Sequence, residues 1–227
     1  MKEFVVLLIR PVYLASRVSY FESCLGSNSL TKVAGVNASG LVILPRPIDT
    51  VHPDGNMSSD TYKQIILTQL HTLLKPIGFR KKQQCFSAEQ GDTVLFIQMQ
   101  SSKKSTKNVL VVTINLGIFS RIVAESVRNT RAPNVYDAHW RARIGSLMPD
   151  ESDKWWEVQS SDEAHLCGTE ITSILTNRAL PQMRGLASTD LLKSLWEKGK
   201  SPGLTDYQRE QYLQALDRRQ RSSTNSP

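Results

Sequence analysis

Hydrophobic positions along the chain follow two rhythms, and the first sustained one begins at Met57. In MSSDTYKQIILTQLHTLLKPIGF, Tyr62, Ile66, Leu70, Leu73 and Ile77 recur at three- and four-residue spacing. That period predicts an amphipathic helix over 60–75, with Ser58, Ser59 and Asp60 as caps and with Pro76 and Gly78 closing it. After Gly78 the period changes to two. FRKKQQCFSA reads as a first strand and EQGD as a turn. TVLFIQMQSS reads as a second strand, with Leu95, Ile97 and Met99 on one face and Val94, Phe96, Gln98 and Gln100 on the other. A basic loop, SSKKSTKN, leads to a third strand, NVLVVTINLGIF. Here Leu110, Val112, Ile114 and Leu116 oppose Val109, Val111, Thr113 and Asn115. In YDAHWRARIGSL, read as a fourth strand, Ala138, Trp140, Ala142 and Ile144 alternate with His139, Arg141, Arg143 and Gly145. Alternation with short connections predicts a half-buried antiparallel meander.

The C-terminal third returns to helical spacing. Ser160 and Glu163 stand at capping-box spacing ahead of an apolar stripe of Cys167, Ile171, Ile174 and Leu175. TDLLKSLWEKG supplies Leu191, Leu192, Leu195 and Trp196 and stops at Gly199; TDYQREQYLQALDRRQ follows with Thr205 as cap. The predicted fold is α+β: an antiparallel sheet of about four strands, helices packed on one face, and a helical C-terminal third. One domain spans 57–216, and 217–227 form a disordered tail. Residues 1–56 hold two short apolar runs, VVLLI and GLVILP, among Ser, Asn, Gly and Pro, with no sustained period. They read as an N-terminal arm, either disordered or an upstream stretch from a misplaced start. The competing reading gives the sheet one or two extra strands there.

Two adjacent tryptophans in DKWWEV cannot share one flat surface, because neighbours on a strand point to opposite faces and neighbours on a helix diverge by about 100°. One of them fills the core between the sheet and the next helix. That inward role is assigned to Trp155, and Trp156 is assigned to a groove or to the arginine strand, where an indole stacks on a guanidinium.

Composition narrows the class. At 227 residues and 40% hydrophobic content the chain can bury one good core. No apolar run approaches the ~18 residues that span a bilayer. The opening FVVLLI is six residues long before Arg10 and Pro11, with Glu3 offsetting Lys2. A secretion signal wants a basic start and about 7–15 apolar residues. Cys24, Cys85 and Cys167 have no paired spacing, so they read as buried thiols in a reducing compartment, and the expected location is the cytoplasm. The net charge of +7 is uneven: 78–146 carry eleven Lys/Arg against four Asp/Glu, and 147–180 carry two against seven. Basicity alone suggests an acidic partner; a basic half beside an acidic half is also satisfied within one fold.

LLKPIGFRKK, FIQMQSSKKS, TINLGIF, ARIGSL and DKWWEV, in that order, resemble the successive blocks of the bacterial domain-of-unknown-function family 4304 over roughly residues 60–180. The recurring pattern is a helix ending in Gly-Phe, a strand with Gln and Ser, an Asn-Leu-Gly strand, an arginine strand and tryptophan. It maps onto Gly78 and Phe79, Gln98 with Ser101 and Ser102, Asn115 to Gly117, Arg143, and Trp155 with Trp156. The pattern offers nothing for 1–56. With no activity attached to the family, the resemblance implies a fold and no reaction.

Candidate chemistry gathers on the polar strand face. Gln98, Gln100, Asn115, His139, Arg141 and Arg143 offer many donors and a positive field, suited to a carboxylate, a phosphate or an acidic peptide. With Ser101 and Trp156 added, the candidate ligand-binding set is Gln98, Ser101, Asn115, His139, Arg141, Arg143 and Trp156. On the competing reading these residues only solvate the sheet, and Arg143 pairs with Asp153, Glu157 or Asp162. His52, His71, His139 and His165 lack metal-binding spacing; Asp150, Glu151 and Asp153 lack the calcium-loop spacing. No nucleophile elbow or phosphate loop occurs, so no catalytic residue, metal or cofactor is expected. The expected function is a non-catalytic bacterial module that binds an anionic small molecule or an acidic protein surface through its sheet face, with no membrane partner. The alternatives are an enzyme of unknown reaction type and a single-stranded nucleic-acid binder. In the latter, the lysines of FRKKQQCF and SSKKSTKN act with Phe79 and Phe86.

Overall fold

Ser58 opens the first helix as expected: in extended conformation, its side-chain oxygen accepts from the Thr61 N–H. The computed structural model describes residues 57–129, 131–150 and 152–224. The reading of 1–56 as an arm lies outside the described residues. Helix α1 (Ser59–Leu74) buries Tyr62, Ile66, Leu67, Leu70 and Leu74. It ends through a short 3-10 turn into Gly78, whose φ of 94° lies in the left-handed region that glycine adopts freely.

Six strands follow instead of about four. The stretch expected as one strand is a hairpin, β1 (Arg80–Lys82) and β2 (Cys85–Gln90), with Lys82 opposite Cys85. Gln83 folds the chain back with φ 54°; without Gly or Asn, the usual two-residue turn signal is missing. Next come β3 (Thr93–Ser101) and β4 (Leu110–Ser120), fully paired from Thr93↔Ser120 to Ser101↔Val112. Both short remaining strands pair with the same edge of the long β4. Its C-terminal half takes β5 (Trp140–Arg143) and its N-terminal half takes β6 (Trp156–Val158). The expected fourth strand is therefore only four residues long. Ile144–Leu147 turn into a 3-10 helix, and the DKWWEV block supplies the strand that its mixed pattern conceals.

One face of this antiparallel sheet carries the main core. Leu95, Ile97, Met99, Leu110, Val112, Ile114, Leu116, Trp140 and Ile144 pack with α1 and with helix α3 (Ser161–Ile174). Ser160 caps α3 by accepting from the Glu163 N–H, while Glu163 accepts from the Gln159 N–H at 2.6 Å. A π-helical turn, Leu175–Ala179, carries α3 into α4 (Leu180–Gly185), where Pro181 has no amide to continue the regular ladder. Helices α5 (Thr189–Glu197) and α6 (Asp206–Thr224) add Leu192, Trp196 and Leu216 to the core. Helix α6 runs on through Thr224, past the expected domain end at 216, and Arg219 pairs with Glu125 of α2 (Arg121–Ser126) at 2.8 Å. Among the described residues no helix is long and apolar enough to cross a membrane.

Candidate functional site

The outer sheet face is apolar at one end and polar at the other. At the apolar end Val94, Phe96 and Phe119 meet Ala124, Val135 and Ala138 in a second, smaller core, roofed by the segment between α2 and β5. Gly117 permits this roof: a Cβ there would lie 2.9 Å from Ala138 Cβ and 3.2 Å from Val135 Cγ2. Further along each strand the side chains change to Gln98, Gln100 and Asn115, and Val135 and Tyr136 of the roof form the edge of a cleft there. Asn115 donates to Gln100 Oε1 at 2.7 Å, while Gln98 Oε1 is buried without a partner among the described residues.

An open cleft of about 520 Å³ lies on this polar end, lined by Gln100, Asn115, Tyr136, Arg141, Arg143 and Gly203 among others. It brings together four residues that alternation had placed on one face. The arginines differ in their freedom. Arg141 donates to the Tyr136 carbonyl at 2.8 Å and to the Gly203 carbonyl, so its guanidinium ties two loops together, and its Nε is buried and unpaired. A Cβ at Gly203 would come within 2.5 Å of Arg141 Cβ, so that position needs glycine, and its φ of 73° needs it too. Arg143 is exposed. It donates to Asp153 Oδ2 at 2.5 Å and lies over the Trp155 ring at 5.2 Å. Trp155 Nε1 donates to the same carboxylate oxygen at 3.1 Å. These two hydrogen bonds, Arg143 first, hold the Asp153 carboxyl below its ordinary range.

Three expectations need correction. The tryptophans are exchanged: Trp156 is in the main core, with Nε1 donating to Glu170 Oε2 at 2.7 Å, and Trp155 takes the arginine. The register explains this, since Trp156 pairs with Val112 on the inner face. His139 is 1% exposed, not on the polar face. It precedes β5 and packs between Phe119 and Tyr212, with Nδ1 accepting from the Ser120 N–H at 2.9 Å. Burial lowers its pKa to about 4, with Asp137 opposing and Arg141 assisting. Ser101 pairs with Val112 and so belongs to the helix-covered face, where its Oγ is unpartnered.

Two other regions frame the choice of site. A groove of about 590 Å³ between α1 and α3 is lined by Thr68, Thr72, Thr172 and Thr176 among others. Their hydroxyls donate to carbonyls of their own helices, which leaves methyl groups facing outward. That groove offers little directional chemistry. Phe79 and Phe86 are buried in the main core, so the expected stacking platform for bases does not exist at the lysine-rich strands. Sequence reasoning missed Tyr136 and Gly203 because no period links a roof loop or a distant turn to a strand face. Among the described residues no group of three or more His, Cys, Asp or Glu is arranged to hold a metal ion.

No curated protein and no solved structure matches this chain. Residues 70–185 match a family model that runs from within α1 to the end of α4 and takes in the whole sheet, but not the Gly203 turn that clamps Arg141. By that match, which covers about half of its length, the chain belongs to the family described as Domain of unknown function (DUF4304).

Proposed function

We propose that this is a non-catalytic cytoplasmic module of bacterial type that binds an anionic small molecule or an acidic protein surface at the polar end of its sheet. The observation that carries this reading is the cleft, in which Asn115, Gln100 and Arg143 converge; Gln98, the strand partner of Asn115, has a buried oxygen with no hydrogen-bond partner among the described residues. Arg143 supplies the charge-assisted fork, and Trp155 holds its guanidinium flat. Asp153 then acts as an internal stand-in for the ligand: an incoming carboxylate or phosphate takes its place on Arg143. Arg141 builds the wall and contributes field, because its donors already serve two loops. His139 has its basic nitrogen committed to Ser120, which speaks for binding over acid–base chemistry.

The test is a titration with inorganic phosphate, citrate and a poly-glutamate peptide, followed by thermal shift and calorimetry. Asp153→Asn should tighten whichever probe binds, and Arg143→Lys should weaken it by about tenfold through loss of the bidentate fork. Unchanged affinity in both variants removes the cleft from consideration, and turnover of a probe establishes the enzyme alternative.

A further inference from the structure

The β1–β2 hairpin brings together lysines that the sequence keeps apart. Because β2 runs antiparallel to β3, the Gln83–Gln84 turn sits at the same end of the sheet as the β3–β4 loop, with the Met99 N–H donating to the Gln84 carbonyl. The same loop touches the start of α1, where the Ser59 N–H donates to the Lys107 carbonyl at 2.7 Å. Between the first half of α1 and the turn lies a cleft of about 600 Å³, lined by Asp60, Lys63, Gln64, Leu67, Lys81, Gln83 and Gln84. Lys82, next to it at the hairpin turn, is on the other side of β1, opposite Cys85, and Lys103, Lys104 and Lys107 stand in the loop at the same end of the sheet. Lys81, Lys82, Lys103, Lys104 and Lys107 are all exposed and form no ion pair with the described residues, while Lys63 is paired with Asp60, the single carboxylate of the lining.

We propose that this end of the molecule docks on the phosphate backbone of duplex nucleic acid. Three observations select that partner over an acidic protein. Lysine is depleted in protein interfaces, which rely on buried aromatic or arginine anchors. The cleft lining has neither, since its one apolar residue, Leu67, is buried. Lysines on turns and loops are mobile point charges that match a row of phosphates without demanding one geometry. Glutamines 64, 83 and 84 add neutral donors of the kind that position a protein on a backbone. Duplex is favoured over single strand because no exposed ring among the described residues lines this cleft to offer a base a stacking surface. The contact is independent of sequence, and it is separate from the sheet-face cleft.

The experiment uses the full chain and a labelled 16-base-pair duplex, with fluorescence anisotropy read at several salt concentrations. Binding at about 50 mM salt should weaken steeply as salt rises, with a slope near 0.9 per phosphate contacted. Lys81→Gln/Lys82→Gln/Lys103→Gln/Lys104→Gln should reduce affinity at least about tenfold and flatten the slope by about 3 to 4. All four side chains are exposed, so the melting temperature should hold. Lys81→Gln/Lys82→Gln should cost much more than Lys198→Gln/Lys200→Gln, an exposed pair of equal charge at the end of α5. Equal losses in the two double variants, or no duplex binding at about 50 mM salt, overturn the proposal. So does tighter binding of the matching single strand, of inorganic polyphosphate or of poly-glutamate at equal charge; each assigns the surface to that ligand instead.

Discussion

The two ends of the outer sheet face are built on the same strands yet meet opposite fates. Phe96 and Gln98 are successive outward residues of β3, and Gly117 and Asn115 are successive outward residues of β4. On one side of that step a loop seals Val94, Phe96 and Phe119 into a small core. On the other side Gln100, Asn115 and Arg143 line an open cleft. Strand alternation decides which face a side chain takes; the residue types along that face decide whether anything covers it. An apolar pair recruits a roof, because leaving it wet forfeits about 25 cal/mol per Å². An amide pair does not, because burying it without partners costs more than the area returns.

The covered end should yield the largest effect. Phe96 is 5% exposed in a cluster of only six buried residues. Phe96→Ala should cost about 3 kcal/mol, the low end of the usual range for aromatic truncation because the thin roof can settle. Chemical denaturation measures it. A loss below about 1 kcal/mol would mean that the roof contributes no core and that the two ends are alike.

His139 belongs to the covered end and makes the next largest claim. Its folded pKa of about 4 lies below the ordinary 6.5, so the unfolded chain takes up the proton first as pH falls. The stability from keeping it neutral is complete above pH 6.5 and is lost as pH drops towards 4. The ceiling is about 3 kcal/mol, at about 1.4 kcal/mol per unit. Melting temperature followed from pH 7 to 4 should fall more steeply for wild type than for His139→Gln, whose amide oxygen can still accept from Ser120. Identical slopes would place the titration elsewhere.

The sequence disclosed the strand faces and most helix caps, because periodicity and capping are local. The main core follows the alternation of β3 and β4, and Ser58, Ser160 and Thr205 all cap helices as their positions suggest. What escaped was set by pairing across distance. Trp156 faces inward because β6 registers against Val112, and His139 is buried because Phe119 and Tyr212 close on it from β4 and α6. The candidate set was legible for Gln98, Asn115, Arg141 and Arg143 as shared-face residues. That Arg141 is a clamp and Arg143 an exposed pair depends on Gly203 and Asp153, which no strand period contains.

Gly117 marks the border between the two ends. Gly117→Val would push a branched side chain into Ala138 and Val135, which belong to the roof. Overpacking of this kind costs about 1–3 kcal/mol. Val135 and Tyr136 of the roof also line the cleft, so the damage should reach it: the sheet-face ligand should bind the variant more weakly below its melting temperature. Unchanged affinity would show that the polar end keeps its shape without the roof.

Gln98 should give the smallest change in stability and the most informative one. Its side-chain oxygen is buried without a hydrogen-bond partner, an arrangement that costs about 1–3 kcal/mol of desolvation when nothing offsets it. Gln98→Met keeps the length and removes the orphan, so the variant should match wild type or exceed it by up to about 1 kcal/mol. The neighbouring Asn115–Gln100 bond at 2.7 Å should persist, because Gln98 takes no part in it. A residue that costs stability where an apolar one would serve is explained if its oxygen accepts from a bound ligand or from a donor on a partner protein. The two readouts therefore belong in one experiment: the unfolding free energy, and the affinity for whichever anionic probe binds at Arg143. Gained stability with lost affinity ties the orphan to recognition. Lost stability would show that Gln98 holds the sheet together, and the polar end would then be structural in the same sense as the covered one.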